Sequence, residues 1–344
     1  MPQFSVALAT EILWWRGRHG IENMKKNNLI TPEGTRDLLF DECLARRKIE
    51  TDLMSLFKSK GFSEVVTPLL EFYDVFDNYF TQEQMYKLPD AKGRLMVLRP
   101  DSTLPIIRLA ETRLRDEPRP LRLCYNQVIY RANPKEAGVD DEIAQCGIEL
   151  IGGSSAGILK LAVEVFKTIG GNYRFELGNC RIFSRLAKEY KIDPEKAELI
   201  RRLVETKNYS GLSALDIPAI FVELPKLFGG FEVFEKAEKL FKTETMKNRL
   251  MALKRVYTEL CEYVKGDKIT VDLGLTNELG YYTGIIFNGY SEGFGEPVLT
   301  GGKYKVGNTL AAGFAVNISE LSLKTNLQNR GKRYISSLVC EGGQ

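Results

Sequence analysis

The strand-like segments of this chain come in runs with almost no helix between their members. SEVVTPLLE (63–71, interrupted at Pro68), GRLMVLRP (93–100), LRLCYNQVIYR (121–131) and EIAQCGIELIG (142–152) form the first run. NYRFELG (172–178) stands alone. KITVDLG (268–274), YYTGIIFNGY (281–290), EPVLTGG (296–302) and LAAGFAVNI (310–318) form the last run. A doubly wound parallel sheet needs a helix after nearly every strand, because a parallel neighbour is reached only by a crossover. Strands that follow one another directly predict an antiparallel sheet and an α+β fold, with helices on its flanks.

The helical segments fit that frame. Leu44, Leu53, Leu56 and Phe57 recur at helical intervals over 35–60, and Gly61 suits the stop. Ser154 and Ser155 open a second helix, with Ile158, Leu161, Ala162, Val165 and Ile169 on one face. The stretch of about 180–265 reads as a helical insertion, in which Asp193-Pro194 is an N-cap followed by proline at the first helical position. Met24 begins MKKNNLITPEGTRDLL, an ordinary start, so residues 1–23 are expected to be a disordered or artefactual extension. Residues 24–325 then form the core domain and 326–344 a tail.

Composition removes several function classes. Lys plus Arg is 48 against 45 Asp plus Glu, a net charge of +3, which gives no global support for gripping nucleic acid. The one histidine is His19, in the N-terminal extension, so imidazole acid–base chemistry, catalytic triads and His-ligated metals are not expected. The six cysteines contain no C-x-x-C pair, which argues against zinc and for a reduced, cytoplasmic protein. No apolar run approaches the roughly 20 residues that span a membrane. No metal and no cofactor is expected.

Four separated segments carry more information together. They are VVTPLLE (65–71), LRPDST (98–103), YRANPKEAGVDDEIAQCGIE (130–149) and LGYYTGIIF (279–287) followed by TGGKY (300–304). In this order, with a helical insertion between the third and fourth, they resemble the class II histidyl-tRNA synthetases over most of the chain. The resemblance implies that family's antiparallel sheet flanked by helices, and a self-dimer whose interface includes the segment around Pro68.

The site residues divide by chemistry. Histidine binding needs acceptors for an ammonium and for imidazole N–H groups. Asp101 stands where the family usually has Glu, and Thr103, Gln145, Glu149, Tyr281 and Tyr282 match the family's histidine-side positions. Arg131 matches its second-motif arginine. Taken alone, Gln145 and Glu149 would read as a solvated strand face, and one of the two adjacent tyrosines would be core, since neighbouring strand residues face opposite sides. Gly152-Gly153 and Gly301-Gly302 read as turns, and Arg201–Lys207 as a solvated helix face.

The ATP side differs. Adenylyl transfer depends on cations placed at the developing charge. Asn133 replaces an acidic residue used around ATP, and two loop arginines of the synthetases fall at Val139 and Asp141. Another falls at Asn277, with Gly280 for the following aspartate, and the third-motif Glu-Arg pair falls at Ser319 and Glu320. Only residues 321–344 follow Glu320, so no anticodon-binding domain is expected.

Retained histidine-side positions without the ATP-side cations look like the ATP phosphoribosyltransferase regulatory subunit family. That resemblance implies a non-catalytic chain that pairs with a short-form catalytic subunit, commonly as a hetero-octamer. The resemblance further implies L-histidine as effector, with the chain as feedback sensor of the first step of histidine biosynthesis. The rival from the enzyme class is an active histidine-activating enzyme, either a truncated histidyl-tRNA synthetase or a histidine:carrier ligase. A third reading is an RNA-binding module that reuses the synthetase shape, which the near-neutral charge disfavours.

Overall fold

The computed structural model describes residues 29–132, 140–155, 157–276 and 280–323. The extension 1–23, the tail 326–344, and positions 133, 139 and 277 lie outside the described residues. Helix α1 (Asp41–Ser59) buries Ala45, Leu53, Met54 and Phe57, and Gly61 beyond it adopts φ +78°, the left-handed conformation expected of the stop. Leu53 and Phe57 are fully buried, each contributing about 1.5–3 kcal/mol. Two expectations fail here. The helix starts at Asp41 rather than near Thr35, and Leu44 is 70% exposed. Long-range contacts hold the preceding segment out of the helix: Gly34 O accepts from Asp141 N at 2.7 Å, and Arg36 Nε reaches Asp140 at 2.9 Å.

Pro68 does break its segment, and the pieces go to different sheets. β1 (Ser63–Glu64) joins the large sheet, whereas β2 (Leu70–Phe72), β3 (Lys87–Pro89) and β4 (Leu95–Leu98) form a small one in the order β2-β4-β3. Buried Arg99 ties the two sheets together. Its guanidinium donates to the carbonyls of Thr67 (2.7 Å), Pro68 (3.3 Å) and Val128 (2.8 Å), so the broken backbone keeps its partners. Helix α2 (Thr103–Glu111) follows directly from β4.

The large sheet continues with β5 (Leu121–Tyr130) and β6 (Glu142–Ile151). Then come α3 (Ile158–Ile169), β7 (Tyr173–Asn179) and the helical insertion. The insertion comprises α4 (Arg181–Glu189), α5 (Pro194–Glu205), α6 (Tyr209–Ser213), α7 (Ala219–Glu223), the short β8 (Phe228–Gly229), α8 (Glu232–Leu240) and α9 (Glu244–Cys261). β9 (Ile269–Asp272), β10 (Tyr282–Ser291), β11 (Leu299–Val306) and β12 (Thr309–Asn317) complete the sheet. The Asp193 cap is as expected: its carboxylate accepts from Glu195 N and Lys196 N with Pro194 behind it. Helix α3 begins at Ile158, with Gly157 as cap, later than the Ser154-Ser155 opening.

The strand order is β1-β5-β6-β12-β11-β10-β7-β9-β8. The six strands from β5 to β7 pair antiparallel, as expected, but the sheet is mixed: β1 runs parallel to β5, and β7 parallel to β9. Both parallel pairs join strands separated by long connections, and in the β7–β9 case that connection is the helical insertion, which acts as the crossover.

The two faces of the sheet are used differently. Cys124, Cys146, Ile148, Phe175, Leu177, Phe287 and Phe314 pack under α1, α3 and the insertion. The opposite face carries Leu123, Tyr125, Tyr304 and Ala311, covered by α2, the small sheet, and Phe76, Phe80 and Met85. The Arg201–Lys207 stretch is exposed at Arg202, Glu205 and Thr206, as expected of a solvated face, but its two ends are partly buried and paired. Arg201 bonds Glu198 and Glu205 at 2.8 Å each, while Lys207 bonds Asp272 at 2.9 Å and lies 3.5 Å over the Phe228 ring.

Candidate functional site

The second face of the sheet places polar groups where a covering layer removes them from water. Glu149 sits in β6 opposite Leu123 on one side and Gly313 on the other, and only 2% of it is exposed. The strand is therefore not solvated here. Thr103, the first residue of α2, donates to Glu149 Oε1 at 2.8 Å, and Tyr304 donates its phenol O–H to Oε2. A Cβ at Gly313 would collide with the Glu149 carboxylate, so glycine is required for the carboxylate to lie flat on β12.

Asp101 ends the small-sheet side of the site, between β4 and α2. Its Oδ1 accepts from Leu104 N at 2.9 Å, capping the helix, and its Oδ2 accepts from Tyr281 O–H at 3.3 Å. The Tyr281 ring lies 5.0 Å from Tyr282, 5.5 Å from Tyr304 and 5.7 Å from Tyr79. Both adjacent tyrosines thus join one aromatic cluster with Tyr304, against the alternation expected of a strand. Tyr281 precedes the first regular residue of β10, and the register shifts between Tyr282 and Ile286. Nor is Gly301-Gly302 a turn: both glycines lie inside β11, and a Cβ on Gly302 would press within 2.9 Å of the Tyr282 ring.

Electrostatics follow from this burial. Desolvation pushes the Glu149 carboxyl up to about 8, despite the two hydroxyl donors, and nearby Asp101 adds to the rise. Desolvation also raises Asp101, opposed by the Leu104 N–H, the charge of Arg131 and the Tyr281 hydroxyl. Two buried carboxyls face a tyrosine wall with one guanidinium at the margin. Arg131 donates to Pro100 O at 3.0 Å, lies over the Phe80 ring at 5.4 Å, and keeps its Nε buried without a partner. Such a pocket favours a compact ligand carrying cationic or N–H donor groups, since these let the carboxyls ionise.

The structure brings Asp101, Thr103, Glu149, Tyr281 and Tyr282 together and puts Arg131 beside Asp101. Gln145 lies on the same face of β6, half-buried opposite Gln127, and makes no side-chain hydrogen bond among the described residues. Tyr304 is the residue that sequence reasoning missed. The signal was present in TGGKY, because Gly302 and Tyr304 share a strand face and Tyr304 pairs with Tyr282.

The neighbouring cleft is of another kind. It is lined by Arg36, Leu38, Arg46, Asp140, Glu142 and Ser319. Arg36 is held by Glu42 (2.6 Å) and Asp140 (2.9 Å), and Arg46 by Glu50 (2.9 Å). Asp141 accepts from Tyr86 O–H at 2.5 Å, and Ser319 accepts from Ala144 N at 2.9 Å. Burial, with Asp140 close by, raises Glu320. Among the described residues no cation of the cleft lining is left unpaired. None of the described helices is long and apolar enough to cross a membrane.

Comparison with known proteins fits this geometry. Residues 34–321 match the model of the histidyl-tRNA synthetase family. The chain is 38% identical to the ATP phosphoribosyltransferase regulatory subunit of Clostridium kluyveri, over 86% of this chain and 82% of that relative. The chain belongs to the ATP phosphoribosyltransferase regulatory subunit family. A solved structure from Bacillus halodurans, described as an ATP phosphoribosyltransferase regulatory subunit/histidyl-tRNA synthetase, superposes with a TM-score of 0.79 at 30% identity, covering 87% of this chain and 83% of that one. A histidine–tRNA ligase subunit from Alicyclobacillus acidocaldarius shares the fold, with a TM-score of 0.72 at 24% identity, covering 87% of this chain and 98% of the other. The class II synthetase-like architecture expected from the four segments is therefore the observed one, with its sheet mixed rather than wholly antiparallel.

Proposed function

We propose that this chain is a non-catalytic regulatory subunit of ATP phosphoribosyltransferase, and that L-histidine binds between Asp101, Thr103, Arg131, Glu149, Tyr281 and Tyr282, with Gln145 recruited from its half-buried position and Tyr304 holding Glu149. The observation that carries the reading is the contrast between the two clefts. Two desolvated carboxyls face aromatic walls in one. In the other, carboxylates occupy the surroundings and the arginines are already paired. An ammonium and an imidazole N–H satisfy the first. A triphosphate placed in the second would meet Asp140, Glu142 and Glu320 without a free guanidinium from the lining, where adenylation needs preorganised cations.

The partner is a short-form catalytic subunit, in a cytoplasmic hetero-octamer, and the chain also pairs with a second copy of itself. The segment around Pro68 supports the self-dimer, because Val66 is 76% exposed and Leu69, Leu70 and Phe72 are about half exposed beside it. Histidine acts as effector by binding two assembly states with different affinity.

The test is phosphoribosyl-ATP formation by a short-form catalytic subunit, with and without this protein and with and without L-histidine. Activity that requires this chain and falls on adding histidine is expected. A folded catalytic subunit that neither binds it nor responds to it overturns the reading. Histidine-dependent exchange of pyrophosphate into ATP by the chain alone would instead make it an active histidine-activating enzyme.

A further inference from the structure

Arg181 and Arg185 lie one turn apart on α4, and Arg249 lies on α9, the helix packed against it. Glu189, one turn further along the same stripe, accepts from Thr243 Oγ1 at 2.9 Å, which sets that stripe against the first turns of α9. None of the three guanidiniums makes an ion pair with a described residue, although most of the arginines in this chain's salt bridges are well matched. Arg249 Nε is buried without a hydrogen-bond partner.

The surroundings add positive charge rather than cancel it. Arg181 occupies the first position of α4, where the helix dipole already disfavours a cation, and the first turn holds no acid. Burial keeps the adjacent Cys180 a neutral thiol, although the charges of Arg181 and Arg249 pull it the other way. Mutual repulsion with Arg185 and Arg181, on top of desolvation, lowers the affinity of Arg249 for its proton. Glu189 is committed to Thr243, and Glu244 at the start of α9 to Lys247 at 3.4 Å. Three guanidiniums brought together across two helices, one with a desolvated orphan donor, leave a concentration of N–H groups without a carboxylate partner among the described residues.

We infer that Arg181, Arg185 and Arg249 form a binding site for a phosphate-bearing small molecule, built from residues other than those of the carboxylate pocket. Guanidinium forks match the oxygens of a phosphate bidentately, and a compact dianion reaches a buried Nε that a flat protein surface would not. The site stands independently of the histidine reading.

The experiment is calorimetric titration of the full-length chain at low salt with pyrophosphate, orthophosphate, AMP and ATP. Saturable binding of pyrophosphate at one site per chain is expected, weakened about tenfold or more in Arg185→Gln and again in Arg249→Gln. The surface variant Lys236→Gln should bind as the parent does, and L-histidine affinity should stay within about twofold in all three. A nucleotide that binds tighter than pyrophosphate identifies a nucleotide as the natural ligand. Equal affinities make the site one for free phosphate. Melting without anion separates a binding role from a structural one: removing one of three repelling charges should hold or raise the melting temperature. No pyrophosphate binding, binding that survives both arginine substitutions, or binding of an acidic peptide only would each overturn the proposal, as would a fall in melting temperature that accompanies unchanged pyrophosphate affinity.

Discussion

Glu149 and Glu320 belong to the two halves of the proposed site, and both are carboxyls raised by burial. They differ in what surrounds them. Glu149 is 2% exposed and held by hydroxyls from two other elements, with aromatic rings beyond. Glu320 lies beside Asp140, with Arg36 as its counterweight and the cleft already closed by ion pairs. The first arrangement stores an unmet demand for a donor, and the second has met its own demands internally. On the proposed function, one half keeps a binding role while the other becomes part of the scaffold.

The sharpest way to break this comparison is Glu149→Ala. Removing one of the two carboxyls that a cationic ligand would ionise should cost roughly 100-fold in histidine affinity by calorimetry, since charge-assisted bonds in a dry pocket are the strong ones. Assembly with the catalytic subunit should persist. Retained histidine affinity would move the ligand elsewhere.

Proton linkage gives the next effect. Free Glu149 titrates near 8, and a bound ammonium or imidazole N–H favours the ionised form, so binding near pH 7 should release a proton. Affinity should then climb from pH 6 to 8, by up to about tenfold per pH unit, partly through the ligand's own imidazole below about pH 7. Calorimetry in buffers of different ionisation enthalpy counts the proton, and zero release at pH 7.5 would remove Glu149 from the contact. The same raised value acts on stability with a definite sign. The folded, ligand-free chain binds the proton more tightly than the unfolded chain. Its stabilising effect is complete below about pH 4.5 and is lost as pH rises through about 8. Ligand-free Glu149→Gln should consequently melt above the parent at pH 8.5, and the gap should close towards pH 5.

Tyr304→Phe should be milder, about tenfold on histidine affinity, because Thr103 still donates to the other oxygen. This residue also marks the limit of what the sequence reveals. LRPDST, Gln145 and Glu149 stand out because their spacing lies within single segments. So does the run of antiparallel strands. Tyr304 matters through its register with Tyr282 and its reach to Glu149, which depend on how β10, β11 and β12 align. The parallel edges were equally hidden, since they depend on where long connections return. Leu44 was misread because a segment upstream of α1 is pulled onto Asp140 and Asp141, and this moved both the start of the helix and the face it buries. The arginine group between α4 and α9 carries no local pattern, because its members come from helices far apart in the chain.

The smallest expected effect is also the cleanest test of separability. Glu320→Arg places a cation beside Asp140 and relieves a crowded pair of acids without touching β6 or α2. If the halves are independent, histidine affinity should change less than about twofold, as for sites that share no partner. Retention of ATP should rise a few-fold at low salt through the added charge and vanish as salt screens it. Histidine-dependent pyrophosphate exchange should remain absent, because one cation does not rebuild the constellation that adenylation uses. A large change in histidine affinity would mean that the acidic cleft does more than fill space. In that case Arg36, shared between Glu42, Asp140 and the field at Glu320, would be the element through which the two halves communicate.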